Sequence, residues 1–241
     1  MISIVIPAKN EQGNIGPLMQ EIHQALHNVT PFEIVVVDDG SNDATYHEIL
    51  ATATTLGCNA QAIRHQYSTG QSTAVHTGVQ HAQGDWIVTL DADGQNDPAD
   101  IPALLAKASA VTVSDFCIAG YRKHRKDTAW KRTQSRIANN IRQALLHDGV
   151  PDTGCGLKLF PRATFLQLPY FDHMHRYIPA LIRRIGGEIH VQEVNHRDRT
   201  VGESKYNAWN RAWVGIVDML GVMWLQKRSR PVLIEKTEKT A

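Results

Sequence analysis

At 241 residues the chain is long enough for one α/β domain with a short appendage, and an apolar fraction of 42% rules out wholesale disorder. Twenty-five basic residues against 24 acidic ones leave a formal charge of +1, so no global field directs the protein to nucleic acid, and anions must be held by local clusters. The three cysteines, Cys58, Cys117 and Cys155, are odd in number and far apart, which argues against a disulfide framework or a zinc site and fits a reducing compartment.

The opening MISIVIPAKNE lacks the basic region of a signal peptide, and Pro7, Lys9, Asn10 and Glu11 interrupt its apolar run. It reads as a strand over Ser3–Pro7 and a loop over Ala8–Asn14. Ile15, Leu18, Met19, Ile22 and Leu26 recur at helical spacing and predict a helix over Ile15–Asn28. A second strand, Phe32–Val37, stops at Asp38-Asp39-Gly40-Ser41. A helix follows over Asn42–Leu56 with Ser41 or Asn42 as its cap. Ala60–Arg64 is a weak third strand, Ser72–Ala82 a helix, and Trp86–Leu90 a fourth strand that runs into Asp91-Ala92-Asp93-Gly94-Gln95.

The second half is less regular. Phe116–Ala119 reads as a strand followed by a basic loop, Tyr121–Lys126, and Trp130–Leu146 as a helix with Arg132, Ser135, Arg136 and Asn139 along one side. Gly154–Phe160 and Glu188–Val194 are further strand candidates around a helix at Ile178–Ile185. Trp209–Leu225 is dense in Trp, Val, Met and Leu and is followed by Lys227, Arg228 and Arg230. No stretch reaches the ~18–20 apolar residues of a spanning helix, so the protein is expected in the cytoplasm with peripheral membrane contact.

Continuous apolar strands alternating with helices imply a mainly parallel sheet covered on both faces, with its ligand site beyond the carboxyl ends of the strands. Three polar strand ends meet there: Pro7–Glu11, Asp38–Ser41 and Asp91–Gln95. Asp91 and Asp93, two residues apart in extended backbone, point to the same side and can chelate one hard cation, with Gln95 offering a further oxygen. An acidic turn that caps the next helix would look similar, and what raises the metal reading is its place after an apolar strand beside a second acidic strand end. Asp38 and Asp39 can accept hydrogen bonds from a base or a ribose, one binding while the other caps a turn.

The runs IVIPAKNE, VVVDDGSNDAT, GQSTAVHTGVQHAQGD, LDADGQNDP, GYRKHR, DTGCGLKLF and RTVGESKYN, spread from residue 2 to about 207, resemble the family 2 nucleotide-sugar glycosyltransferases of GT-A fold. Among these the chain is similar to the polyprenol-phosphate sugar synthases. The resemblance implies a GT-A catalytic domain over 1–207, a Rossmann-like, mainly parallel sheet flanked by helices, and a C-terminal apolar or amphipathic helix and tail over 208–241. It implies Mg²⁺ or Mn²⁺ as cofactor, a UDP- or GDP-sugar as donor and a polyprenyl phosphate as acceptor. Pro7, Ala8, Glu11 and Asp39 would line the nucleoside pocket, and Asp91, Asp93 and Gln95 would hold the metal and donor diphosphate. Arg122, Arg132, Ser135, Arg199 and Lys205 match positions that handle phosphate oxygens, a task for which guanidinium groups are suited. Lys123, Arg125 and Lys126 read as surface. Gln71 stands where the family often has Lys.

A phosphate monoester with a second pKa near ~6 is already a nucleophile at neutral pH and needs no general base. Phe171–Tyr177, where hydroxyl-transferring relatives carry an acidic pair, has the single carboxylate Asp172. The expected reaction is therefore direct, inverting displacement. A transferase acting on a glycan or protein hydroxyl, a sugar nucleotidyltransferase, and a non-catalytic nucleotide-sugar-binding subunit are the alternatives. His173-x-His175 reads as loop or interface residues rather than metal ligands, with phosphate gripping by His175 and Arg176 as a minor alternative. The 209–225 segment reads as a contact with the membrane interface, a second copy or a membrane-protein partner in preference to a buried helix.

Overall fold

A computed structural model of the chain describes residues 1–122, 139–197 and 208–228, the last of these side chain by side chain from 214 onward. Arg132, Ser135, Arg199 and Lys205 lie outside the described residues, as do Lys123, Arg125, Lys126, Arg136 and the side chains of Trp209 and Trp213.

The first half alternates strand and helix: β1 (Ile2–Ala8), α1 (Ile15–Leu26), β2 (Phe32–Asp38), α2 (Thr45–Leu56), β3 (Ala60–Arg64), α3 (Gln71–His81), β4 (Trp86–Thr89) and α4 (Ile101–Ser109). The second half carries β5 (Phe116–Tyr121), β6 (Lys158–Pro161), α5 (Arg162–Leu166), α6 (Ile178–Arg184), β7 (Glu188–Glu193) and α7 (Ala208–Lys227). A 3-10 turn, Met174–Arg176, precedes α6, and residues 139–146 are helical. The seven strands form one sheet in the order β3-β2-β1-β4-β6-β5-β7. All the ladders are parallel except the two that β6 makes with β4 and β5.

Side-chain alternation along the strands divides the core in two. Ile4 and Ile6 of β1, Ile34 and Val36 of β2 and Val88 of β4 face α1 and α4 on one side. Val5, Val35 and Ile87 face the opposite way, onto Val75 and Val79 of α3 and Leu181 of α6. Both faces are buried, which explains why these strands read as unbroken apolar runs.

Several expected boundaries move. Helix α2 starts at Thr45, three residues later than the sequence suggests, with Ala44 at its N-cap and no side-chain cap. Ser41 Oγ instead accepts from Asn10 N, and Asn42 N donates to Asn10 Oδ1, so both residues belong to the turn joined to the β1 loop. The strand expected over Gly154–Phe160 is confined to Lys158–Pro161. Gly154–Leu157 instead runs as loop, with the Gly156 carbonyl accepting from Thr89 Oγ1 at 2.7 Å and the Leu157 carbonyl from Gly120 N at 2.9 Å.

Helix α7 lies against the body through one face. Tyr177 donates its hydroxyl to Gly215 O (3.1 Å), Arg184 Nε donates to Leu225 O (3.0 Å), and Val222 is fully buried. Ile216, Val217, Leu220 and Trp224 face outward, 44–59% exposed. Among the described residues no helix is long and apolar enough to cross a membrane.

Candidate active site

Strand order locates the site. Because β1 sits between β2 and β4, successive connections leave it toward opposite sides, and the crevice at the carboxyl ends of β1 and β4 is a topological switch point. Pro7 and Ala8 end β1, and Leu90 and Asp91 directly follow β4. Pro7, Gln71, Asp91, Gly156, Lys158 and His175 line a small cleft at this place.

On the β2 side the loops after β1 and β2 are stitched together. Asn10 N donates to Ser41 Oγ (2.9 Å), Glu11 N to Thr45 Oγ1 (2.8 Å), and Asn42 N to Asn10 Oδ1 (3.0 Å). Glu48 of α2 accepts from Gly13 N (2.7 Å) in the loop and from Gly16 N (3.0 Å), an amide that α1 leaves free in its first turn. Glu11 accepts from Asn14 Nδ2 at 2.8 Å.

Both β2-end aspartates turn inward. Asp38 is fully buried, accepts from Ser41 N (2.9 Å) and faces Arg64 Nε at 3.2 Å. Asp39 takes hydrogen bonds from His65 Nδ1 (2.8 Å), Ser68 Oγ (2.7 Å), Thr69 N (2.8 Å) and Gly70 N (2.9 Å). Burial alone would raise its pKa, but these donors outweigh burial and hold the carboxyl well below the usual carboxylate range. Gly40 makes the close approach possible: its φ is +66°, and a Cβ there would stand 2.7 Å from Ser68 N. The Asp39 carboxylate organises the loop ahead of α3 rather than standing open toward a ligand.

On the β4 side, Asp91 Oδ1 accepts from Gln71 Nε2 (2.8 Å), and Asp91 N donates to Asn96 Oδ1 (3.3 Å). Burial, and next the neighbouring Asp93, push the Asp91 pKa upward, against the pull of Lys158 and Arg122 and the Gln71 hydrogen bond. Two carboxylates held this close repel each other, and a divalent cation is the partner that relieves them. Gly156 is a bare-backbone cradle under Asp91, since a Cβ there would lie 2.7 Å from Asp91 Oδ1 and closer still to Cγ and Oδ2.

The residues present fit Mg²⁺ or Mn²⁺: hard oxygen donors, Asp91 and Asp93, at one strand end. Among the described residues no group of three or more His, Cys, Asp or Glu side chains could hold a metal, so the remaining ligands of such an ion would be phosphate oxygens and water. Gln95 is tied through its backbone, N to Asp93 Oδ1 (3.1 Å) and O from Arg197 N (3.0 Å). Arg197 in turn reaches Glu21 (2.5 Å) and Asp97 (2.6 Å).

Arg122, just past β5, forms a bidentate pair with Asp152, at 2.7 and 3.0 Å, with both side chains nearly buried. The pair fixes the guanidinium in place within the field of Asp91. Lys158, buried at the start of β6, donates to Cys155 O and places a second cation near Asp91. Asp152, Gly156 and Lys158 lie in the run DTGCGLKLF, where sequence reasoning attached no role to them. Gln71 is the Asp91 partner, which gives the departure from the family's usual Lys a defined contact. His175 Nδ1 is hydrogen-bonded to Ser72 Oγ (2.7 Å), and His173 Nδ1 lies 3.1 Å from Asp218 Oδ2, so each ring of the H-x-H faces a protein group.

Residues 3–168 match the family model described as glycosyl transferase family 2. The chain is 32% identical over 235 residues to dodecaprenyl-phosphate galacturonate synthase of Rhizobium johnstonii, covering 95% of this chain and 69% of that one. It is 33% identical over 210 residues to undecaprenyl-phosphate 4-deoxy-4-formamido-L-arabinose transferase of Pseudomonas paraeruginosa, covering 86% of this chain but 61% of that protein. The chain thus spans about two thirds or less of the length of the curated relatives it matches. By fold it is similar to glucosyl-3-phosphoglycerate synthase of Mycobacterium tuberculosis in complex with UDP, at a TM-score of 0.68 and 18% identity over 93% of this chain and 80% of that one. The same enzyme with Mn²⁺, UDP-glucose and glycerol 3-phosphate aligns at a TM-score of 0.67 and 16% identity, over 94% of this chain and 79% of that one.

Proposed function

The chain belongs to glycosyl transferase family 2, and on that premise we propose that it transfers a sugar from a UDP- or GDP-sugar to a polyprenyl phosphate, with inversion, at the cytoplasmic face of a membrane. The observation that carries this reading is the alignment of 95% of the chain with a synthase whose named product is a polyprenyl-phosphate sugar. The catalytic domain is assigned to 1–207, and 208–241 to membrane or partner contact.

In this scheme Pro7, Ala8 and Glu11 border the nucleoside, and Asp38 and Asp39 hold the loops that shape its pocket. Asp91, Asp93 and the Gln95 side-chain oxygen would hold the divalent cation, which when bound would neutralise the diphosphate charge. Arg122 is aimed by Asp152 at phosphate oxygens, with Arg132, Ser135, Arg199 and Lys205 assigned to the same task. An oxygen of the acceptor phosphate dianion attacks the anomeric carbon. The bond from that carbon to the diphosphate breaks, and its electron pair leaves on the diphosphate oxygen. No proton has to move, so no general base is required. An α-linked donor gives a β-linked product.

The lipid contact is assigned to α7. Ile216, Val217, Leu220 and Trp224 make an exposed apolar face, Lys227 and Arg228 follow it, and the Arg228 guanidinium lies 5.8 Å from the Trp224 ring centre. Aromatic and basic residues at the edge of an apolar helix face suit an anionic headgroup layer.

The test is a transfer assay with detergent-solubilised polyprenyl phosphate and a panel of UDP- and GDP-sugars, with Mn²⁺ or Mg²⁺ and with EDTA. Metal-dependent formation of a lipid-phosphate sugar is expected from one donor. Donor turnover that yields only hydroxyl glycosides would refute the phosphate acceptor, and no donor binding at all would refute the transferase.

A further inference from the structure

The H-x-H turn joins two parts of the molecule that are far apart in sequence. On one side His173 Nδ1 lies 3.1 Å from Asp218 Oδ2, and the Tyr177 hydroxyl donates to Gly215 O at 3.1 Å, both partners being on α7. On the other side His175 meets Ser72 twice, ring Nδ1 to Oγ at 2.7 Å and backbone N to Oγ at 3.2 Å. Ser72 Oγ accepts the backbone N–H and shares a second hydrogen bond with the ring, so one hydroxyl anchors both the main chain and the side chain of His175.

Ser72 belongs to the first turn of α3, and the two residues before it contact the two acidic strand ends. Gln71 donates to Asp91 (2.8 Å), and Gly70 N donates to Asp39 (2.9 Å). These contacts, joined by the backbone of residues 173–175 and 71–72, link Asp218 to Asp91. The turn is a committed shape: His173 has a φ of +65°, an uncommon conformation for a side-chain-bearing residue and one that its neighbours must hold in place. Helix α7 is the lightly held end of this chain of contacts, since Val222 is the one fully buried side chain among its residues 214–227.

We propose that His173, His175 and Asp218 are positioning residues that couple the seating of α7 on an anionic lipid surface to the geometry of the Asp91 metal–nucleotide site. The coupling rests on the transferase reading and adds to it a reason for turnover to be confined to the membrane. A helix restrained by lipid holds Asp218 against His173, and the turn then holds the start of α3 and its Gln71–Asp91 contact. Linkage makes the effect reciprocal: whatever factor lipid adds to nucleotide affinity, nucleotide adds to lipid affinity.

The experiment measures Mn²⁺-UDP and Mn²⁺-GDP binding by calorimetry, with and without vesicles of phosphatidylglycerol and phosphatidylcholine that carry no acceptor, for the wild type, Asp218→Asn and His173→Asn. Asparagine at 173 tolerates the left-handed backbone, which keeps that variant folded. Vesicles are expected to tighten nucleotide binding about three- to tenfold in the wild type, within the usual range of such couplings. Both variants should lose the tightening while cosedimenting with vesicles as the wild type does, because neither side chain lies on the outward apolar face, and Asp218→Glu should restore part of it. Equal nucleotide affinity with and without vesicles in the wild type overturns the coupling, as does full tightening in both variants. A wild type that binds vesicles but no nucleotide overturns the transferase reading, and the coupling with it.

Discussion

Replacing Gly156 with alanine tests how the site is built. A Cβ at this position would stand 2.7 Å from Asp91 Oδ1, with two other carboxylate atoms closer, where ordinary non-bonded contact begins near ~3.5 Å. Gly156 is not in the left-handed region, so the backbone accepts alanine and the clash falls on the Asp91 side chain. Asp91 must then move by roughly 1 Å or give up its Gln71 hydrogen bond. A metal ligand tolerates only ~0.2 Å of misplacement, and a ~1 Å error in a reacting array costs on the order of 10²-fold, or about 2.7 kcal/mol of barrier. Gly156→Ala is therefore expected to lose about 10²-fold in kcat/KM and to weaken Mn²⁺-dependent nucleotide binding. The melting temperature should stay within a few degrees of wild type, since the carboxylate moves at the rim of the cleft and not in the core. Mn²⁺ titrations followed by calorimetry, beside thermal melts, measure both quantities. Wild-type Mn²⁺ dependence and turnover in Gly156→Ala would refute the placement of Asp91 at the chemistry.

Arg122→Met strands the Asp152 carboxylate in a nearly buried pocket and should cost about 3–5 kcal/mol of stability in denaturant titrations; adding Asp152→Leu should recover much of the stability and none of the activity. Asp39→Asn removes a carboxylate whose folded pKa is depressed. Its stabilising contribution is complete above the unfolded value of about 3.9 and is lost as pH falls from there toward the lower folded value. The gap in stability between wild type and Asp39→Asn should therefore be widest at neutral pH and narrow below about pH 4, and a constant gap down to pH 2 would contradict it. Leu220→Glu alters a side chain 55% exposed on α7; cosedimentation with anionic vesicles should fall severalfold while stability changes by less than about 0.5 kcal/mol.

What the sequence determined by itself is the alternation of buried strands with helices and the position of acidic residues at strand ends. Both follow from local periodicity. The inner stretches Ile4–Ile6, Ile34–Val37 and Ile87–Val88 are apolar on both faces, so the breaks at Pro7, Asp38 and Asp91 mark the carboxyl ends of β1, β2 and β4, and the i, i+2 spacing of Asp91 and Asp93 carries its own geometry. The family motifs add the donor class and the positions matched to it. Only the tertiary structure decided what each group is bonded to. Asp39 reads as a ligand residue, yet its hydrogen bonds come from 26–31 residues downstream. Asp91 owes its room to Gly156 and its charge environment to Lys158 and Arg122, and the H-x-H pair divides between Ser72 and Asp218. The antiparallel insertion of β6 between β4 and β5 shortens a strand that composition would extend. None of these pairings has a local period or a preferred neighbour in the chain. They arise because a parallel sheet gathers the ends of strands from distant parts of the sequence at one edge, where buried polar groups must find partners among whatever that edge brings together.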